Sequence, residues 1–255
     1  MRTVNKIHSR TMISIIIITL NEEKNISTII ESLIKQTYKD FEVIIIDGNS
    51  TDNTEKICRS YQEKIKNFSF NNIEKKGVSL QRNEGAKLAS GEYLFFMDAD
   101  ISFDKNFLQK SLDSLYRKNL DAAGVYLKAR SKNVIDKIFY SIMNIWFFLM
   151  QKIYPHCVGS CMIAKKTAHI TIGGFDERIN LAEDNDYVFR IHKLKLRFGV
   201  IPTIVNVSTR RFEKEGRLKM GIQYIQILLH RIFLGEIKKD KFNYKFGHYD
   251  ETNEK

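Results

Sequence analysis

Three stretches of this chain restrict its fold more than anything else in it. Ser14 to Leu20 (SIIIITL), Phe41 to Asp47 (FEVIIID) and Tyr93 to Asp98 (YLFFMD) are apolar almost without a break, and β-branched or aromatic residues dominate them. A surface helix or a half-exposed strand would place polar residues at every second, third or fourth position. These runs instead show the pattern of strands buried on both faces, in a parallel sheet covered by helices. The segments between them supply the helices. Ile26, Ile29, Ile30, Leu33 and Ile34 recur at helical spacing behind a cap at Asn25 or Ser27, and a second helix is expected near Glu55 to Ile65. With a weaker strand at Phe68 to Ile73 and a helix over Gly77 to Ala89, strand and helix alternate as in an α/β domain.

The buried strands run out into acids: Glu22 or Glu23 after the first, Asp47 at the end of the second, and Asp98 with Asp100 after the third. Ligands of open parallel sheets bind beyond the carboxyl ends of the strands. Carboxylates gathered there repel one another unless a cation or cationic ligand joins them, and paired aspartates suit a divalent cation that carries phosphates. The bland alternative is a set of acidic turns that merely close strands.

Beyond Asp104 the chain is legible mainly through hydrophobicity. A helix with Phe107, Leu108, Leu112 and Leu115 precedes a strand at Ala122 to Ala129. Ile138 to Met150 is the most apolar stretch, flanked by Lys137 and Lys152, and it falls short of the roughly 20 residues a membrane-spanning helix needs. It is either a buried helix or, with Trp146 and its lysine flanks, a helix lying in a bilayer interface. Val158 to Ala164 is expected as a strand with Gly159 at a close approach, and Gly173-Gly174 as a turn. Glu183, Asp184 and Asp186 open a helix, where acids often do no more than complement the helix dipole. A strand follows at Phe198 to Val207, interrupted at Pro202, then Arg210 and Arg211. The two arginines could clamp a pyrophosphate or form a solvated face. An amphipathic helix with Ile222, Ile225, Leu228 and Leu229 precedes a polar tail over residues 238–255.

The formal net charge of +11 suits an anionic partner, whether nucleic acid, phosphorylated ligand or anionic lipid, without choosing among them. Cys58, Cys157 and Cys161 are odd in number and irregular in spacing, which implies a reducing compartment rather than a disulfide framework. His156, Cys157 and Cys161 lack the fourth ligand and tight spacing of a structural zinc site. Arg2, Lys6 and Arg10 before an apolar run imitate a signal peptide. The run is short, however, and Asn21-Glu22-Glu23-Lys24 stands where small cleavage-site residues belong, so a basic leader before the first strand is expected.

Together these stretches resemble the family 2 glycosyltransferases of GT-A fold, small non-processive members, from about Ser14 to Gly216. Five motifs stand in the family's order: SIIIITLNEEKNI from Ser14, IDGNSTDNT from Ile46, QRNEGAKLASG from Gln81, Met97 to Asp100, and Gly173 to Arg190 with Glu183-Asp184. The resemblance implies a Rossmann-like mixed, mostly parallel sheet flanked by helices. It implies one catalytic domain over residues 1–237, with a nucleotide-sugar half at 12–104, an acceptor half at 105–216 and the amphipathic helix at 217–237. On the donor side it implies Thr19, Asn21 and Glu22 along the nucleotide and Asp47 at the base or ribose. Asp52, Arg82 and Asn83 would shape the nucleotide pocket, and Arg210 and Arg211 would lie near the diphosphate. Asp98 and Asp100 would face Mn²⁺ or Mg²⁺, Gly159, Ser160 and Glu183 the acceptor, and Asp184 would be the catalytic base.

The chain departs from the family where many relatives carry a metal-binding histidine after the last strand, since Asn206, Ser208 and Thr209 occupy that region. The Gln-x-x-Arg-Trp pattern of processive synthases is also missing. The expected function is thus inverting, metal-dependent transfer of one sugar from a nucleotide-diphospho-sugar to an acceptor hydroxyl, such as a lipid-linked or cell-surface glycan precursor. No nucleic-acid partner is expected, and a cytoplasmic location is, with peripheral contact to the inner face of the membrane. The rivals are a nucleotidyltransferase on a related fold and a non-catalytic nucleotide-sugar-binding protein. The first would carry a glycine- and lysine-rich phosphate loop where Leu20-Asn21-Glu22-Glu23 stands.

Overall fold

A computed structural model of the protein describes residues 11–179 and 181–237, so the basic leader and the polar tail lie outside the described residues. The first half follows the apolar pattern closely. Strands β1 (Ile13–Thr19), β2 (Phe41–Asp47), β3 (Phe68–Asn72) and β4 (Tyr93–Asp98) alternate with helices α1 (Ile26–Ile34), α2 (Thr54–Ser60) and α3 (Val78–Leu88). All neighbouring pairs among these four strands are parallel, and the register sets Thr19 beside Asp47 and Ile18 beside Asp98. The acids therefore share one sheet edge because the strands end level.

Burial on both faces follows from the uninterrupted runs. Ile15, Ile17, Val43, Ile45, Phe95 and Met97 enter one core layer, while Ile16, Ile44, Ile46, Leu94 and Phe96 enter the other. Burying a side chain of this size is worth roughly 1.5–3 kcal/mol, so the two layers hold the sheet between its helices.

The second half contains β5 (Ser102–Phe103), α4 (Phe107–Lys118), β6 (Ala122–Ala129), α5 (Val134–Met150), β7 (Cys161–Lys165), α6 (Lys166–Thr171), α7 (Glu183–Lys193), β8 (Phe198–Val207), α8 (Arg210–Glu215) and α9 (Arg217–Leu234). The eight strands form one sheet in the order β3-β2-β1-β4-β7-β6-β8-β5. β7 is antiparallel to both β4 and β6, β8 is parallel to β6, and β5 is antiparallel to β8.

Two expectations need correction, and one gains detail. Val158, Gly159 and Ser160 precede β7 rather than belonging to it, and this leaves Gly159 beside the acids. The expected interruption at Pro202 is present as a break in the ladder inside β8, which continues to Val207. The register skips between Val125 and Tyr126 of β6, a bulge that accommodates a residue lacking an N–H, and Pro202 faces solvent. The apolar stretch at Ile138 to Met150 is not a buried helix. Only Asp136 and Phe147 of α5 are buried, and Asn144 docks the helix by bonding both the N–H and the C=O of Leu127 in β6 (2.9 and 2.7 Å). Among the described residues no helix is long and apolar enough to cross a membrane.

Candidate active site

The level ends of β1, β2 and β4 place two kinds of acidic side chain on one edge. The first kind is used up by the loops. Asp47 is 1% exposed; its carboxylate accepts the Thr19 hydroxyl (2.7 Å), the Ser50 N–H (2.7 Å) and the Ser50 hydroxyl (2.6 Å). Asp52 accepts the N–H and hydroxyl of Thr54 on one oxygen and the Glu23 N–H on the other. Asn21, in the left-handed region at φ +53°, receives the Thr51 N–H on its side-chain oxygen and gives its own N–H to Ser50. Gln81 ties the two strand ends from below, donating to the carbonyls of Thr19 and Ile46 (2.8 and 2.9 Å). Thr19, Asn21, Asp47 and Asp52 thus form a brace that fixes the backbone of the β1 and β2 loops. Neither Ser50 nor Gln81 stood out in the sequence, although both lie inside the motifs quoted above.

The second kind gathers around Arg82, the largest fully buried side chain of the described residues. Its guanidinium donates to Glu183 (2.7 Å), Asp98 (3.3 Å) and the Gly159 carbonyl (3.1 Å), and it lies over the Phe175 ring at 5.2 Å. Burial opposes its charge, but Glu183, Asp98 and Asp184 outweigh that and raise its pKa. Arg82 therefore joins the end of β4 to the start of α7, two regions 85 residues apart in the chain (183 minus 98). Gly159 completes the joint. Its N–H donates to Asp184 Oδ2 (2.6 Å), and a Cβ there would stand 2.7 Å from an Arg82 nitrogen and 3.3 Å from that same carboxylate oxygen.

Asp184 has an uncomfortable position. Burial first, then the adjacent Glu183 carboxylate, push its pKa up to about 7 against the pull of Arg82. Its other oxygen accepts the Asn185 N–H (2.7 Å). Ala182, just before the acidic pair, sits at φ +62°, a conformation that costs an alanine about 1 kcal/mol and is held by its surroundings. Asp186, the other acid of this turn, is paired with Arg190 at 2.8 Å. Glu183 is paired with Arg82, whereas Asp184 is held by the N–H groups of Gly159 and Asn185.

On the opposite side, Asp100 is likewise pushed up to about 7, by burial and then by Asp98 and Glu22, against Arg210 and Arg130. Arg210 reaches Glu22 at 3.3 Å and so faces the acids, whereas Arg211 turns to Glu215 (3.7 Å) and toward Tyr224. Of the two arginines, Arg210 is the one beside the acids. Asn83 is displaced more clearly. It bonds both the N–H and the C=O of Phe175 (2.8 and 2.9 Å) and fastens the turn after Gly174 instead of facing the donor side. Asn206 and Thr209 are also occupied, with the Ser102 carbonyl and Glu213. Cys157 and Cys161 enter opposite core layers, so they do not form a pair of ligands.

Among the described residues no three His, Cys, Asp or Glu side chains converge closely enough to hold a metal by themselves. Asp98 and Asp100 nonetheless offer hard oxygen donors to an ion of the Mn²⁺ or Mg²⁺ kind, which typically takes one or two carboxylates and completes its shell with phosphate oxygens and water.

The glycosyl transferase family 2 model matches residues 14–173. Among curated relatives, a Methanococcus voltae dolichyl N-acetyl-alpha-D-glucosaminyl phosphate 3-beta-D-2,3-diacetamido-2,3-dideoxy-beta-D-glucuronosyltransferase is 27% identical over 83% of this chain and 71% of its own length. The Escherichia coli UDP-Glc:alpha-D-GlcNAc-diphosphoundecaprenol beta-1,3-glucosyltransferase WfgD is 29% identical over 59% of this chain and 58% of its own length. The chain spans only 27% of a Rickettsia felis glycosyltransferase to which it is 29% identical. Similar folds occur in the Pyrobaculum calidifontis mannosyltransferase PcManGT, solved with GDP-Man and Mn²⁺ (TM-score 0.69, 20% identity, 87% of this chain and 65% of that one). They occur also in S. aureus TarS 1-349 solved with UDP-GlcNAc (TM-score 0.65, 22% identity, 78% of this chain and 58% of that one). The open, mostly parallel sheet with helices on both faces is the GT-A architecture, and the chain belongs to glycosyl transferase family 2.

Proposed function

We propose that this chain is an inverting, metal-dependent glycosyltransferase that moves one sugar from a nucleotide-diphospho-sugar to an acceptor hydroxyl, with Asp184 as base. One observation carries the reading: a carboxylate raised to about 7 accepts the Gly159 N–H beside Arg82, which itself bonds Glu183 and the β4 aspartate. A base with a pKa near the working pH is deprotonated often enough to act and basic enough to take a proton. In this reading residues 12–104 bind the donor and residues 105–216 the acceptor, within a single domain. The braced loops of β1 and β2 present backbone to the nucleotide, with Glu22 and Arg210 at its diphosphate side. Asp98 and Asp100 would hold Mn²⁺ or Mg²⁺, which when bound supplies positive charge for the departing diphosphate.

The acceptor O–H gives its proton to Asp184 Oδ2 as its oxygen attacks the anomeric carbon. The bond from that carbon to the diphosphate oxygen breaks, and the nucleoside diphosphate leaves from the opposite face. One displacement inverts the configuration. Arg82 positions the turn that carries Asp184 and balances the charge of Glu183 and Asp98.

The relatives named for dolichyl phosphate and diphosphoundecaprenol substrates, together with the outward apolar face of α5, support a lipid-linked or cell-surface glycan precursor as acceptor. They also support action at a membrane surface, which this reading takes to be the inner, cytoplasmic face. A thermal-shift screen of nucleotide sugars with Mn²⁺ or Mg²⁺ tests the donor, because a ligand of the native state raises its melting point. Product analysis tests the chemistry. Release of nucleoside diphosphate with inverted anomeric configuration is expected, and release of pyrophosphate would instead mark a nucleotidyltransferase.

A further inference from the structure

Two helices at the edge of the site are apolar on the side they turn to solvent. In α5, Ile138, Ile142, Ile145 and Leu149 recur at spacings of four, three and four and are each 53–61% exposed. In α9, Leu218, Ile222, Ile225 and Leu229 recur at four, three and four and are 47–78% exposed. Each set therefore forms one stripe along its helix. Such stripes normally face a core, and these face outward.

The helices are tied together from within. Asp136, 1% exposed in the first turn of α5, accepts Arg217 from the first turn of α9 through both oxygens (2.7 and 3.0 Å) and also the Ser131 hydroxyl. One turn further on, Phe139 stacks on Tyr224 with ring centroids 6.1 Å apart and meets Phe212 edge to face at 5.1 Å. Ile227 and Tyr224 of α9 pack with Leu181 and Ala182, the two residues just before Glu183 and Asp184, so the pair borders the centre described above.

Charge chooses what covers the stripes. Asp136 is the one acid in α5 and is sequestered by Arg217, and α9 contains no acid at all. Exposed Lys132, Lys137 and Lys152 stand at the two ends of α5, and Trp146 is 41% exposed among its apolar residues. A second copy of this chain would set these cations against themselves. An anionic bilayer surface offers complementary charge to the lysines and an apolar layer for the stripes.

We infer that α5 and α9, latched by Asp136 and Arg217, form a two-helix surface that seats the protein on an anionic membrane with Asp184 beside the bilayer. This rests on the membrane reading of the acceptor given above. It adds α9, the latch and the lipid charge to that reading.

The test uses the full chain with vesicles of phosphatidylcholine alone or mixed with phosphatidylglycerol, measured by co-sedimentation at low and high salt. Binding is expected to the anionic vesicles only, weakened by salt. The double variant Ile142→Ser/Ile225→Ser, at exposed positions, should lose about tenfold or more of that affinity. The same variant should keep its thermal shift with nucleotide sugar, which separates failure of this surface from failure of the glycosyltransferase reading. Asp136→Asn should weaken vesicle binding while leaving the exposed stripes chemically intact. Equal binding by wild type and the double variant would overturn the inference. So would absence of binding, a dimer in solution dissolved by Ile142→Ser/Ile225→Ser, or binding gained only when residues 238–255 are removed.

Discussion

Asp47, at the end of β2, and Asp184, in the first turn of α7, are both held by N–H donors, yet they live under different conditions. Asp47 receives three donors from Thr19 and Ser50, and its loop closes around it. Asp184 receives the Gly159 N–H and that of its own neighbour, and it lies beside a second carboxylate. A carboxylate whose oxygens are filled by several N–H and O–H donors is held in place and acts as a fixture. One that is buried next to a like charge holds its proton more tightly and can accept one when a substrate offers it. Burial alone does not mark a reactive acid; the number of donors and the sign of the neighbouring charge do.

Substitutions can break this comparison. Asp184→Asn keeps the shape of the side chain and removes the base. Turnover should fall by about 10²–10⁴-fold while donor binding by thermal shift persists. Undiminished turnover would show that the base is elsewhere. Arg82→Met leaves the buried Glu183 without its partner, and unfolding in denaturant should show a loss of about 3–5 kcal/mol. Asp47→Asn replaces one acceptor by a donor facing Ser50 or Thr19. It should cost about 1–3 kcal/mol of stability, with turnover per folded molecule much less affected than in Asp184→Asn. Equal losses of turnover in both aspartate variants would erase the distinction.

Acidity sharpens it further. The base works deprotonated, so the rate should fall about tenfold per pH unit as pH drops below about 7. Stability should run the other way. Because the folded carboxyl holds its proton to higher pH than the unfolded one, its contribution is greatest below the ordinary carboxylate range and is lost as pH rises through about 7. Asp184→Asn should therefore gain in melting temperature over wild type at pH 8 relative to pH 5. The smallest effect is expected at the turn. Ala182→Gly relieves the left-handed backbone and should stabilise by up to about 1 kcal/mol, measured by denaturant unfolding.

Much of the first half was legible in the residues. Uninterrupted apolar runs in β1, β2 and β4 require burial on both faces, and strands that end level bring Asp47 and Asp98 to one edge. Periodicity could not reveal which way α5 faces, because an apolar helix has the same pattern against a core and against solvent. Nor could it distinguish the acids and amides that brace loops from those that face the centre. Asn83 and Arg82 are neighbours on α3, yet one fastens the turn at Phe175 and the other joins Asp98 to Glu183.

The sequence by itself determined the parallel core and the acidic ends of its strands, because those depend on local pattern and on strand length. Only the tertiary structure decided the centre. β7 inserts antiparallel between β4 and β6 and delivers Gly159 from a distant part of the chain to a place where no side chain would fit. Asp184 then owes its raised pKa to that packing: water is lost around it, Glu183 lies beside it, and Arg82 from α3 offsets part of both. Coulomb interactions and desolvation act through space, and they have no counterpart in residue spacing until the chain has folded.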